Sequence, residues 1–382
     1  MTWLLLLLIA LLLGGYATLI ENYRRWFLEV KPFAVNKGIK PTTSFSIIIP
    51  ARNEEEQIGA CLESVLTQNY PPDLYEVIVI DDHSTDRTAE IIVQYQQRHT
   101  NLRLFNLEEL LPAGKLNSYK KKAIELAIEK AAGDWIVTTD ADCKVRPNWL
   151  RSFDGFRKER NAVFIAAPVK FTNTGSFISI FQCLDFISLQ GITAASVNNR
   201  FHSMCNGANL AYSKAVFNEA GKFAGIDDIA SGDDMLLMHK IFLKHPRQVR
   251  FLLSDEVITE TLPMPDWTSF LNQRIRWASK AESYEDKRIF WVLVSVYLFN
   301  LSLVLLPILA LWVPVAIWYW LLLIVCKTII ELRFMLPVAR FFNERSMLWW
   351  FPVMQPFHIL YTVIAGWLGK FGTYQWKGRT VK

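Results

Sequence analysis

Cysteine is scarce: five residues in a chain of 382, at Cys61, Cys143, Cys183, Cys205 and Cys326. They are scattered, odd in number, and no two stand at zinc-ligand or redox spacing. That argues against a disulfide scaffold and a thiol metal site and fits free thiols in a reducing compartment. Charge is scarce as well. Asp, Glu, Lys and Arg make up 20% of the residues and hydrophobic ones 52%, too apolar for an ordinary soluble protein. The deficit is concentrated at the two ends. Residues 2–20, "TWLLLLLIALLLGGYATLI", carry no charge and are long enough to span a bilayer. No basic residue precedes the run and no A-x-A-like site closes it, so residues 1–22 read as an uncleaved anchor rather than a signal peptide. Residues 289–326 again lack Asp, Glu, Lys and Arg. At ~1.5 Å per residue they nearly suffice for two crossings, with Pro314 as the turn between them. A third apolar segment, 347–368, is interrupted by Pro352, Gln355, Pro356 and His358, and can span or lie in the interface. A basic stripe suited to nucleic acid is absent, and the net charge of +5 sits largely on the membrane flanks.

Arg24, Arg25 and Lys31 follow the first run, which places the middle of the chain in the cytoplasm. Lys287, Arg288, Arg333, Arg340 and Arg345 agree with that side. Lys370, Lys377, Arg379 and Lys382 also favour the inside, at odds with four full crossings. Lys327, near the end of an apolar run, can snorkel. The expected organisation is an anchor (1–22), an α/β domain (43–262), an amphipathic interface helix (263–287), a membrane region of two to three spans (288–370) and a basic tail (371–382).

In the central domain "SFSIIIP", "YEVIVIDD", "DWIVTTD" and "NAVFIAAP" read as buried parallel strands. Ile58, Cys61, Leu62, Val65 and Leu66 form one helix face between the first two. "HSTDRTAEIIVQY" predicts a second helix capped by Ser84 or Thr85, and "KKAIELAIEKAAGD" a third closed by Gly133. Strand–helix alternation implies a parallel sheet with right-handed crossovers, and ligands bind beyond the carboxyl ends of its strands. "PARNE", "DDHSTD" and "TTDADC" each begin at such an end.

Asp140 and Asp142 stand one residue apart, and a hard divalent cation on their oxygens would relieve the repulsion, completed by water and substrate phosphates. A solvated turn is the bland alternative. In "DDHSTD" an Asx-turn explains Ser84 and part of Asp86, whereas Asp82 can accept hydrogen bonds from a base N–H or a ribose hydroxyl. Lys121 can neutralise a diphosphate or belong to a solvated helix face. Asp233 and Asp234 open an amphipathic helix. One of them can be a cap, which leaves the other as a candidate general base. "DWTSFLNQRIRWASK" has an apolar side of Trp267, Phe270, Leu271, Ile275 and Trp277, with Arg274, Arg276 and Lys280 among its polar positions. It reads as an interfacial helix, and 179–192 is dense enough in apolar residues to touch the membrane surface too.

These stretches together resemble a membrane-bound family 2 glycosyltransferase of GT-A fold. The matching residues are "PARNEE" (50–55), "VIDDHSTD" (79–86), "DAD" (140–142), "NGANLAY" (206–212), "GDD" (232–234) and "QRIRW" (273–277), in family order. The resemblance implies a GT-A (Rossmann-like) cytoplasmic domain between transmembrane helices, integral to a membrane of bacterial type. It implies inverting transfer from a nucleotide-diphosphate sugar, most often a UDP-sugar, to a membrane lipid or lipid-linked acceptor. Asp82, with Pro50, Arg52 and Glu54 nearby, would hold the nucleoside, with Lys121 on the diphosphate. Asp140 and Asp142 would hold Mg²⁺ or Mn²⁺ there, and Asp234 would be the base beside Asp233. Gln273, Arg276 and Trp277 match a Gln-x-x-Arg-Trp motif near the donor diphosphate and the acceptor. The tail "YQWKGR" (374–379) is similar to that of some glycolipid-forming members. A processive polysaccharide synthase and a non-catalytic nucleotide-binding membrane scaffold are the alternatives.

Overall fold

The structure, a computed structural model, describes residues 2–36, 38, 40–111, 118–202, 204–227, 229, 232–279, 286–372, 374–376 and 379–381. In chain order its elements begin with α1 (Thr2–Glu29), β1 (Phe45–Ala51), α2 (Ile58–Leu66), β2 (Tyr75–Asp81), α3 (Thr88–Gln96), β3 (Leu102–Asn106), α4 (Leu107–Leu110), α5 (Tyr119–Lys130) and β4 (Trp135–Thr138). There follow α6 (Trp149–Arg160), β5 (Phe164–Ala166), β6 (Val169–Phe171), α7 (Phe177–Asn199), β7 (Leu210–Ser213), α8 (Lys214–Glu219), α9 (Met235–Lys244), β8 (Val249–Phe251) and β9 (Thr259–Thr261). Then come α10 (Trp267–Ala278), α11 (Lys287–Leu309), α12 (Ala316–Phe341), α13 (Phe351–Phe371), β10 (Tyr374–Trp376) and β11 (Arg379–Val381). They form two units, one α/β (Lys31–Lys170, Ser203–Leu262) and one largely helical (Met1–Val30, Phe171–His202, Pro263–Lys382).

The α/β unit is built on a 7-stranded sheet in the order β3-β2-β1-β4-β7-β5-β8. β1 pairs in parallel with β2 and β4, and β2 with β3. β7 runs antiparallel to both its neighbours. The β-branched runs of β1 and β2 are buried on both faces, as a helix-covered parallel sheet demands. The helix face read from Ile58, Cys61, Leu62, Val65 and Leu66 is the buried face of α2. It shares one core with Trp149, Leu150 and Phe153 of α6. Each such apolar side chain, fully buried, contributes about 1.5–3 kcal/mol.

Two local expectations change. α3 begins at Thr88 without a side-chain cap from Ser84 or Thr85. Asp86 Oδ1 accepts from Thr88 N at 3.0 Å instead, because Ser84 is bound to Asp81. α5 ends at Lys130, before Gly133. The glycine is needed for a different reason: a Cβ there would stand 2.7 Å from the backbone of Phe45 and Ser46.

In the helical unit α1 buries Ile9, Tyr16, Ile20, Tyr23 and Phe27 and leaves Leu7, Leu8, Leu11 and Leu28 exposed. Two helices among the described residues are long and apolar enough to cross a membrane, Phe177–Asn199 and Lys287–Leu309. The first, α7, is mostly buried. The segment 179–192, expected at a membrane surface, is therefore packed inside this unit, which also claims it from the 43–262 domain. α12 continues past Cys326 to Phe341 because Lys327 is satisfied within the unit rather than snorkelling. Fully buried, its Nζ lies 2.6 Å from Glu331 Oε1 and donates to Gln355 Oε1 at 2.8 Å. Gln355 Nε2 returns to Glu331 Oε2 at 2.6 Å, and the Tyr16 hydroxyl also donates to Glu331. Pro352 and Pro356 do not break the third apolar segment. Pro352 lies in the first turn of α13, where no N–H is required, and the helix runs on through Pro356. Of the tail motif, Lys377 and Gly378 lie outside the described residues; β10 and β11 pair antiparallel around them.

Candidate active site

β1 and β2 end together, Ala51 opposite Asp81, and β4 ends toward the same edge, Thr138 opposite Ile48. The loops 52–57, 82–87 and 139–143 therefore open on one edge of the sheet. Because β7 is reversed, with Leu210 opposite Thr138, its amino end and the turn 206–209 arrive at the same edge. Thr138 Oγ1 donates to Gly207 O at 2.8 Å. Gly207 N donates to Asp234 Oδ2 at 3.0 Å, which draws in the start of α9.

The first two loops are stitched to each other. Asn53 N donates to Ser84 Oγ at 3.0 Å, Thr85 N to Asn53 Oδ1 at 2.8 Å and Glu54 N to Thr88 Oγ1 at 2.8 Å. Asn53 and His83 take left-handed backbone, φ 51° and 58°, which is common for Asn and costly for larger side chains. Asp82, buried at the end of β2, is flanked by two cations or potential cations. Arg52 Nη1 donates to its carbonyl at 2.7 Å and stands 3.7 Å from Oδ1. His83 Nδ1 lies 2.9 Å from the same Oδ1, and its ring meets Tyr119 edge-on at 5.9 Å. Pro50 lies within β1, opposite Ile80.

The acidic cluster has a lysine at its centre, and it is not the expected one. Lys121 is buried and turned inward, its Nζ donating to Ile226 O and Ile229 O, each at 2.6 Å. Its neighbour Lys120 is a turn of 100° away on the helix. Lys120 Nζ donates to Asp140 Oδ1 at 2.7 Å and stands 3.6 Å from Asp233 Oδ2. Burial alone would lower this amine's pKa, but the charges of Asp140, Asp233 and Asp234 raise it above the usual lysine range. Asp142 accepts from Thr261 Oγ1 at 3.1 Å and from the Cys143 thiol at 3.5 Å. The Cys61 thiol donates to Asp140 O at 3.6 Å. Burial, reinforced by Asp142 and Asp140, pushes the Cys61 and Cys143 thiols up, so they are protonated and inert.

The acidic pair at α9 divides its work. Asp234 is the N-cap, its Oδ1 accepting from Met235 N at 2.7 Å while Oδ2 takes Gly207 N. Asp233 faces Lys120. Gln273, Arg276 and Trp277 lie on α10 and belong to the helical unit, whereas the acids belong to the α/β unit. Arg274, expected among the polar positions, is buried and paired with Asp185 at 2.6 Å. Lys120 was hidden among three identical residues. Only the helix start at Tyr119 determines which of them faces the acids.

Two family descriptions match the chain, Glycosyl transferase family 2 over residues 46–219 and Glycosyl transferase family group 2 over residues 135–368. Glycosyltransferase AglE of Haloferax volcanii is 28% identical over 190 residues, covering 50% of this chain and 58% of that protein. The chain thus spans little over half the length of that relative. The poly-β-1,6-N-acetyl-D-glucosamine synthase of Staphylococcus epidermidis is 23% identical over 324 residues, 81% of this chain and 73% of that one. The fold is similar to that of the mannosyltransferase PcManGT from Pyrobaculum calidifontis, solved with GDP-Man and Mn²⁺. The TM-score is 0.56 at 17% identity, covering 94% of this chain and 97% of that chain.

Proposed function

The chain belongs to glycosyltransferase family 2, and from that premise we propose that it moves a sugar, with inversion, from a nucleotide-diphosphate sugar to a membrane lipid or lipid-linked acceptor. The observation that carries this is the meeting of Asp82, Asp140, Lys120, Asp233 and Asp234 at one sheet edge, in two clusters of different chemistry. Asp82, with Pro50, Arg52 and Glu54 around it, is the nucleoside end. Asp140, Lys120 and Asp233 form the diphosphate end.

The donor set suits a divalent ion. No group of three or more His, Cys, Asp or Glu that could hold a metal occurs among the described residues. A hard ion that binds through one or two carboxylates and substrate phosphates needs no more than Asp140 and Asp142. When bound, such an ion neutralises charge building on the leaving diphosphate. Lys120 contributes a fixed positive charge beside Asp140 and holds Asp233 in place. Asp234 takes the proton from the acceptor hydroxyl. The Met235 and Gly207 amides orient its carboxylate, and each oxygen retains a further lone pair for that proton. Attack on the face opposite the leaving diphosphate inverts the anomeric carbon, so an α-linked donor gives a β-glycoside.

The helical unit supports the membrane part of this reading. α11 and α12 expose Trp291, Leu305, Trp318, Leu322 and Ile329, and α13 exposes Leu360 and Trp367. Helices apolar on their outer faces as well as inward suit a lipid surround. The length of the match to the polysaccharide synthase favours a second reading, a processive enzyme, which product length separates from single addition.

Nucleotide release from a panel of UDP- and GDP-sugars, measured with a lipid extract and with and without Mn²⁺, tests the proposal. Metal-stimulated release with at least one donor is expected; none with any donor overturns it. Lys120→Met should lower turnover at least about tenfold, the size of one charge-assisted contact, with little change in stability. Lys121→Met should instead cost about 2 kcal/mol of stability, read by denaturant midpoint, because two carbonyls lose a buried charged donor. Arg276→Ala and Trp277→Ala should cost transfer while the α/β unit stays folded. Arg can clasp phosphate oxygens with two parallel hydrogen bonds and Ala cannot. Normal rates in both would leave α10 an amphipathic helix only.

A further inference from the structure

Arg274 lies inside the 273–277 segment, at a position to which the Gln-x-x-Arg-Trp pattern gives no role. It is 4% exposed. Its guanidinium lies 4.8 Å from the Phe270 ring centroid and 4.2 Å from that of Trp277, four residues before and three after it on α10. Nη2 stands 2.6 Å from Asp185 Oδ2 on α7. The other oxygen of Asp185 accepts from the Tyr361 hydroxyl on α13, and His358 Nε2 lies 3.9 Å from it.

Docking of α10 does not need this charge pair. Phe270 already packs on Phe181 of α7 and on Tyr361, at centroid distances of 5.4 and 5.2 Å. A buried ion pair contributes little net stability over an apolar pair of the same size, and its cost is high if one partner is lost. What it adds is a second tie between α10 and α7, next to Trp277. The guanidinium stands 2.6 Å from Asp185 at one end, a charge contact without a hydrogen bond, and 4.2 Å from the Trp277 ring centroid at the other. Trp277 also meets the ring of Phe186, the residue next to Asp185, at a centroid distance of 5.9 Å. The charge contact and the two ring contacts together tie Arg274 and Trp277 of α10 to α7 at Asp185 and Phe186.

We propose that Asp185, Arg274 and Tyr361 are a positioning set that aims Gln273, Arg276 and Trp277 at the acceptor, with Arg274 acting through Trp277 and not on substrate. This rests on the glycosyl-transfer reading. Misplacing a substrate-positioning group by about 1 Å can cost 10²-fold in rate, whereas the nucleotide site, in the other unit, retains its own residues.

The test uses the full chain in lipid nanodiscs with a nucleotide-sugar donor and a lipid extract. It measures glycolipid formed against nucleotide released by hydrolysis, together with donor KM. In Arg274→Lys and the milder Tyr361→Phe the ratio of transfer to hydrolysis should fall about tenfold or more while donor KM holds within about twofold. The double variant Asp185→Asn/Arg274→Gln, which leaves no unpaired charge, should be more stable than either single variant and still show the low ratio. Parental ratios in Arg274→Lys and Tyr361→Phe, or a double variant that regains the ratio along with its stability, overturn the inference and leave a structural pair. A parent protein that forms no glycosylated product from any donor overturns the transfer reading, and the inference with it.

Discussion

Replacing Asp140 or Asp142 with Ala is expected to reduce metal-stimulated transfer by about 10²- to 10³-fold, the size attached to removing one preorganised electrostatic contact at a reacting centre. The two variants should differ in what else they disturb. Asp140→Ala takes away the nearest partner of Lys120, whose Nζ lies 2.7 Å from Asp140 Oδ1, and leaves that amine to Asp233. Asp142→Ala removes one hydrogen bond from Thr261, worth about 1 kcal/mol. Both should fold, because neither carboxylate belongs to the apolar core of the sheet. Transfer in EDTA is the check: full activity of both variants without metal contradicts the assignment of Asp140 and Asp142.

Asp234→Asn should turn over at least ~10²-fold more slowly than the parent, the usual range for loss of a general base, while binding donor almost as well. The fold should survive, since Asn caps a helix as well as Asp does. The amide oxygen can still accept from Met235 N. The Gly207 amide loses its acceptor if the NH₂ group faces it, which costs about 1 kcal/mol. Asp233→Asn weakens the contact with Lys120 instead and should be the milder change. If Asp233→Asn is the inactive variant and Asp234→Asn is active, the roles within the pair are reversed. Asp234 is then a cap alone.

What could be read from sequence follows from how each element is stabilised. β1, β2 and β4 are legible because both faces are buried, so their residues are predominantly apolar. β3 is not, because it is an edge strand whose Arg103 and Asn106 are partly or fully exposed. β7 has four residues and was seen only as part of "NGANLAY"; its reversed direction comes from pairing, which no local pattern encodes. The acidic residues at the sheet edge were legible from spacing and strand ends, but the choice between Lys120 and Lys121 depends on where α5 starts. Arg274 and Lys327 were misjudged for one shared reason. A charged residue in an apolar segment is ordinarily at the surface, and burial becomes tolerable only with partners: Asp185, distant in sequence, for Arg274, and Glu331, four residues on, with the distant Gln355 for Lys327.

The most direct test of the central claim follows the sugar itself. The full chain in nanodiscs is incubated with labelled UDP- and GDP-sugars, Mn²⁺ and a total lipid extract, then partitioned between organic solvent and water. A product in the organic phase, heavier than a lipid by a single sugar and absent with Asp140→Ala, is the predicted result. Label in a long water-soluble polymer would contradict single addition to a lipid, and label remaining wholly on the nucleotide would contradict transfer altogether.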